Sequence, residues 1–157
     1  MRQIARQAAA LLASILVAAC AANAGEMPQV RTVDEIDLQR GFALKGYDPV
    51  AYFAEGGPAA GNTAIRYQWR GATWLFSTEE HRKAFMADPV RYAPQFAGFC
   101  AVALARGEID EGNPEYWLLS EGKLYLFGKP IGPALFQQDI AGNLVKAEQN
   151  RPRIVNR

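Results

Sequence analysis

The run Ile65–Phe85 leaves this chain little freedom of local structure, and it constrains what the rest can become. Ile65, Tyr67 and Trp69 alternate with polar residues, Arg70-Gly71 supplies a turn, and Trp74-Leu75-Phe76 resumes the apolar pattern. Apolar residues of period two on both sides of a glycine-containing turn specify a β-hairpin with one buried face. The period then changes without any linker. Ser77 is an N-cap residue type and Glu80 stands three positions later, the spacing of a capping box, in which the two side chains satisfy exposed amides of the first turn. Ala84 and Phe85 give the predicted helix an inward face, and Asp88-Pro89 ends it, since a residue before proline is pushed out of the helical region.

The same alternation of short pieces continues downstream. Pro94 is read as opening a second apolar helix that stops at Arg106-Gly107, where glycine is a natural C-terminal signal. Tyr116–Leu119 and Leu124–Phe127 flank Glu121-Gly122-Lys123 and form a second predicted hairpin. Asp139 can cap a C-terminal helix that buries Ile140, Leu144, Val145 and Ala147. Hairpin, helices, hairpin, helix is an α+β order rather than the regular alternation of a doubly wound fold. No repeat, low-complexity tract or linker is visible, so the expectation is one small domain over residues 46–150. A polar lead-in over 25–45 precedes it and a basic tail over 151–157 follows.

Residues 1–24 have the composition of a leader. Arg2 and Arg6 precede an apolar run from Ala8 to Ala19, and Ala22-Asn23-Ala24 places small residues where a signal peptidase cleaves. The run is shorter than the roughly 20 apolar residues of a transmembrane helix. Val17-Ala18-Ala19-Cys20 also resembles a bacterial lipobox, which would make Cys20 the acylated N-terminus. The expected location is the periplasm or another exported compartment, with membrane attachment only if Cys20 is lipidated. Removal of the leader takes two arginines and no acid, leaving 15 basic against 16 acidic residues. That balance, with no basic run, argues against nucleic acid as a partner. An envelope protein remains a candidate partner.

Either processing route leaves Cys100 as the one thiol, in the apolar stretch Phe96–Ala105. A lone cysteine in an oxidising compartment is buried and inert, paired with another chain, or kept for chemistry. His81 is the single histidine and stands one helical turn before Phe85, which turns its ring inward. Cysteine with histidine is a soft donor pair suited to copper(I). Asp48, in Gly46-Tyr47-Asp48-Pro49, either organises a turn through its side-chain oxygens or acts as a third ligand or as the carboxylate that orients His81. Tyr47 and Tyr52 are candidates for packing or for hydrogen bonds at that site. Trp69, Trp74, Tyr92, Phe96 and Phe99 are read as core, with a pocket wall as the alternative. No CxxC, GxSxG or phosphate-cradling glycine loop is present, and nothing in the motifs indicates catalysis.

Four segments in order, GYDPVAYF (Gly46–Phe53), YQWRGATWLFSTEEHRKAF (Tyr67–Phe85), DPVRYAPQFAGFCA (Asp88–Ala101) and GKLYLF (Gly122–Phe127), resemble the exported bacterial YHS-domain proteins. The resemblance spans about Gly46 to Ala147. It implies a treble-clef-related α+β fold and an ancestry among small metal-binding modules found beside heavy-metal and copper transport systems. The cysteine pair that those modules carry between hairpin and helix is missing here, where the chain reads Phe76-Ser77-Thr78-Glu79-Glu80. Four zinc donors are therefore not available. The resulting expectation is a non-catalytic protein that binds a soft metal ion, copper first, through Cys100 with His81 and Asp48. A metal-free interaction module and a single-thiol redox protein are the alternatives.

Overall fold

The computed structural model describes residues 41–155. The leader, Cys20, and the lead-in as far as residue 40 lie outside the described residues. The fold is α+β, built on two separate antiparallel two-stranded sheets. A tight 3-10 turn, Ala43–Gly46, leads to helix α1 (Ala51–Ala54), strands β1 (Asn62–Trp69) and β2 (Ala72–Phe76), and helices α2 (Glu79–Ala87) and α3 (Pro89–Tyr92). A second 3-10 turn, Gln95–Gly98, leads to α4 (Ala101–Ala105), β3 (Asn113–Ser120), β4 (Lys123–Phe127), α5 (Gly132–Gln137) and α6 (Ile140–Val155).

The two series are the same frame built twice, which the sequence reading did not anticipate. Asn62 pairs with Phe76 and Trp69 with Ala72; Asn113 pairs with Phe127 and Ser120 with Lys123, each partner 51 positions on. Both hairpins slip register at the same place, between Asn62 and Arg66 and between Asn113 and Trp117. Both close through two residues of positive φ, Arg70-Gly71 (48° and 77°) and Glu121-Gly122 (50° and 70°). That is the type I′ geometry whose twist matches the strands. Each hairpin starts on an asparagine whose Oδ1 accepts an amide two residues on, from Ala64 and from Glu115.

The close approach that joins lead turn to hairpin is also duplicated. Gly61 N donates to Gly46 O at 2.9 Å and Gly112 N to Gly98 O at 3.0 Å. A Cβ on Gly61 would lie 2.4 Å from Leu75 Cβ, and one on Gly112 would lie 2.2 Å from Gly98 O. Only glycine fits at either position. Phe85 is packed against Trp74 and Phe76, and its counterpart Phe136 against Tyr125 and Phe127. Asp88 caps α3 through Arg91 N and Asp139 caps the equivalent α6 through Gly142 N. The two units share an apolar seam, where Leu124 and Leu126 pack with Val50, Tyr52, Phe76 and Phe85.

Three local readings are corrected. The N-cap of α2 is Thr78, whose Oγ1 accepts from His81 N at 3.1 Å; Ser77 is drawn away to Asp48 and forms no capping box with Glu80. No continuous helix runs from Pro94. Phe96 and Ala97 have φ of 55° and 51°, and Cys100 N is held by Asp110 O at 2.9 Å, so tertiary hydrogen bonds override the helical pattern and α4 begins only at Ala101. Within α6, Ala147 is buried but Val145 is exposed, and the helix carries past Arg151, so the basic tail begins as helix.

Candidate functional site

The polar centre of the first unit forms where its lead turn, hairpin end and α2 meet. Asp48 is fully buried at 0 % exposure. Its backbone N donates to Ala59 O at 2.8 Å, which pins the turn to the segment entering β1. Its Oδ1 accepts from Val50 N at 2.8 Å, the bond expected of a turn-organising aspartate before proline. Its Oδ2 accepts from Ser77 N at 2.8 Å, from Ser77 Oγ at 2.7 Å and from His81 Nδ1 at 2.7 Å. Of the three roles the sequence left open, Asp48 takes two: it builds its own turn and it contacts His81 Nδ1 as an orienting carboxylate. A buried carboxylate that accepts this many bonds is compensated for its desolvation.

His81 is placed by the cap. Thr78 starts the helix, and one turn later the imidazole lies beside Ser77, with Nδ1 3.2 Å from Ser77 Oγ. The Asp48 contact places an N–H on Nδ1 and turns Nε2 to the other side of the ring. Nε2 lies 3.8 Å from Glu55 Oε1; the His81 side chain is 13 % exposed and that of Glu55 52 %. Serine, histidine and aspartate meet here, but not in the order of a hydrolase triad. Ser77 Oγ is on the Asp48 side of the ring and donates to the carboxylate, so it is not placed for Nε2 to deprotonate it.

The tyrosines face a different task. Tyr52 is buried, donates its hydroxyl to Pro114 O at 3.0 Å and packs edge-on against Trp117; burial pushes its phenol pKa far up. Tyr47 donates to Glu115 Oε1 at 2.7 Å, and that hydrogen bond, with burial and the carboxylate's charge, raises its phenol. Both hydrogen bonds cross to the second unit rather than joining His81.

Cys100 does not join His81 and Asp48. It is 6 % exposed within the second unit's apolar cluster, among Phe96, Phe99, Tyr125 and Phe127. Its backbone explains its place. Gly98-Phe99-Cys100 repeats Gly46-Tyr47-Asp48, with Cys100 N on Asp110 O as Asp48 N is on Ala59 O. Cys100 is thus the counterpart of Asp48. The counterparts of Ser77 and His81, 51 positions on, are Gly128 and Gly132. A Cβ there would lie 2.4 Å from Asp110 Oδ2 and 2.4 Å from Phe127 Cβ respectively. No side chain can reach inward at either position, and the second unit has no room for the network.

A copper(I) site made of Cys100, His81 and Asp48 does not fit this arrangement: the thiol belongs to the other unit, and Asp48 occupies Nδ1 rather than sharing a ligand position. Among the described residues, no three His, Cys, Asp or Glu side chains are grouped to hold a metal ion. Sequence reasoning missed Glu55 and the role of Ser77. The signal that could have exposed the frame is the recurrence of Gly61-Asn62, Gly71, Leu75-Phe76, Phe85 and Asp88 as Gly112-Asn113, Gly122, Leu126-Phe127, Phe136 and Asp139. No family model matches this chain, and no curated protein or solved structure matches it either.

Proposed function

We propose that this chain is an exported, non-catalytic metal-binding protein of YHS type whose first unit carries the site and whose second unit is scaffold. His81 Nε2 is the leading ligand, Asp48 stands behind it on Nδ1, and Glu55 is the second protein donor. One observation carries this reading: the second unit reaches the same register with Cys100, Gly128 and Gly132 in place of Asp48, Ser77 and His81. The frame can be built without the polar network, and in the first unit Asp48 ties turn to hairpin end while His81, which it orients, is left over for a use outside the frame. A buried carboxylate fixing the tautomer of a histidine is the usual partner of an imidazole ligand.

The donor set favours a borderline divalent ion. Imidazole and carboxylate suit copper(II) or zinc, and copper(II) binds more tightly on the general affinity order. Two ligands at about 2.0–2.1 Å lie roughly 3.4 Å apart at the tetrahedral angle of zinc and about 2.9 Å apart at the right angle that copper(II) prefers. The observed 3.8 Å between Nε2 and Oε1 closes to that range with a small rotation of the exposed Glu55 side chain. Water would complete the coordination. Among the described residues no helix is long and apolar enough to cross a membrane, and in this reading the leader delivers the protein to the envelope, anchored only if Cys20 is acylated.

Titration of copper(II) into the Cys100→Ser protein tests the assignment without thiol chemistry. Uptake of one ion is expected, abolished by His81→Ala and weakened about tenfold by Glu55→Gln. Uptake that survives His81→Ala, or that vanishes with Cys100→Ser alone, would overturn the site. No stoichiometric uptake at all would leave the metal-free interaction module as the reading.

A further inference from the structure

A second concavity lies at the other end of the first hairpin, away from His81. Its cavity is about 190 Å³. Trp69, Trp74 and Phe96 form its apolar walls, and Arg70 and Arg151 stand on its rim, with no acidic residue in the lining. The walls are held in place. Trp74 Nε1 donates to Trp69 O at 3.2 Å, and the two indoles meet edge-on at 5.8 Å. Arg70 lies over the Trp69 ring at 4.5 Å and has no carboxylate partner among the described residues. Arg151 reaches Glu148 only at 3.9 Å, both side chains being well exposed.

We infer that this cleft binds a small aromatic monocarboxylate of a single ring. Rings provide the body of the site, and two guanidinium groups without strong partners provide the charge that would select a carboxylate. The space suits one ring, because a closed cavity of about 150 Å³ accommodates benzene and this open cleft offers about 190 Å³. The cleft is also specific to the first unit. Positions corresponding to Trp69, Arg70, Ala72 and Trp74 are Ser120, Glu121, Lys123 and Tyr125, which replace one indole with a hydroxyl, the arginine with an acid and the small alanine with a lysine. The frame is again indifferent to the change.

Isothermal titration with benzoate and with its neutral analogue benzamide tests the inference on the whole mature chain. Benzoate should bind once, with a Kd between about 0.1 and a few mM, as expected for so few atoms. It should also quench tryptophan fluorescence, and benzamide should bind at least about tenfold more weakly. Arg70→Gln and Arg151→Gln are exposed changes that leave the core intact, and each should weaken benzoate about tenfold while leaving benzamide unchanged. Equal binding of the two probes, wild-type benzoate affinity in both arginine variants, or no saturable binding would each overturn it. His81→Ala should bind benzoate normally, so failure here and failure of the metal site are separate results.

Discussion

The unit from Ala43 to Tyr92 and the unit from Gln95 onward arrive at one backbone by different interiors. In the first, a fully buried aspartate gathers a turn, a hairpin end and a helix; in the second, a cysteine sits at that point among aromatic rings. Both have the same glycine contact, the same I′ turn and the same slipped register. What the two share consists of backbone requirements, and what they do not share is side-chain chemistry. The duplicated frame therefore serves as an internal control, separating residues that make the fold from residues that do something on it.

The sharpest way to break that comparison is to remove the two equivalent centres. Asp48→Ala strands Val50 N, Ser77 N and Oγ, and His81 Nδ1, and should cost about 3 kcal/mol. Cys100→Ala removes one sulfur from an apolar cluster and should cost about 1 kcal/mol. Denaturant midpoints measure both. Equal losses would mean that the cysteine is part of an unrecognised polar site or that Asp48 is dispensable.

The shared backbone contact makes the opposite prediction. Gly61→Ala and Gly112→Ala each force a Cβ into the chain opposite, and each should lose about 2 kcal/mol, within error of the other. A large inequality would show that the two frames are alike in outline and different in tightness.

The smallest effect probes the seam. Tyr52 and Tyr47 both have phenols whose pKa is raised in the folded protein, so the folded state keeps protons that the unfolded chain releases above its ordinary value near 10. Stability from these groups is fully present below about pH 10 and falls as pH rises beyond it. For the buried Tyr52 the loss should reach roughly 1 kcal/mol near pH 11. Melting curves from pH 8 to 11 should steepen above 10, and Tyr52→Phe should flatten that limb. An unchanged slope in the variant would remove Tyr52 from the seam's energetics.

Local periodicity carried a good part of the fold. Both hairpins, the end of α2 at Asp88 and the Asp139 cap are legible because each depends on neighbours in sequence. The break after Pro94 was not legible, since Phe96 and Ala97 adopt a left-handed conformation in a turn held by distant partners, with Cys100 N donating to Asp110 O and Gly112 N donating to Gly98 O. The repeat escaped notice because few identities survive between the units. At the site, Asp48 and His81 were visible as residue types, and their pairing follows from the turn and the helix. The separation of Cys100 from them was invisible, because it depends on which copy of the frame the thiol belongs to.

The two I′ turns have a consequence measured in time. Each hairpin closes within about fifteen residues, from Asn62 to Phe76 and from Asn113 to Phe127, and hairpins of that span form in roughly 1–10 μs. Neither needs the other to choose its register. The contacts between the units, Tyr52 with Trp117 and Tyr47 with Glu115, join residues more than sixty positions apart and are expected to close after the hairpins. A folding rate that tracks that encounter rather than the strands is the expected outcome, and Tyr52→Phe should then slow folding more than a change within either hairpin turn does.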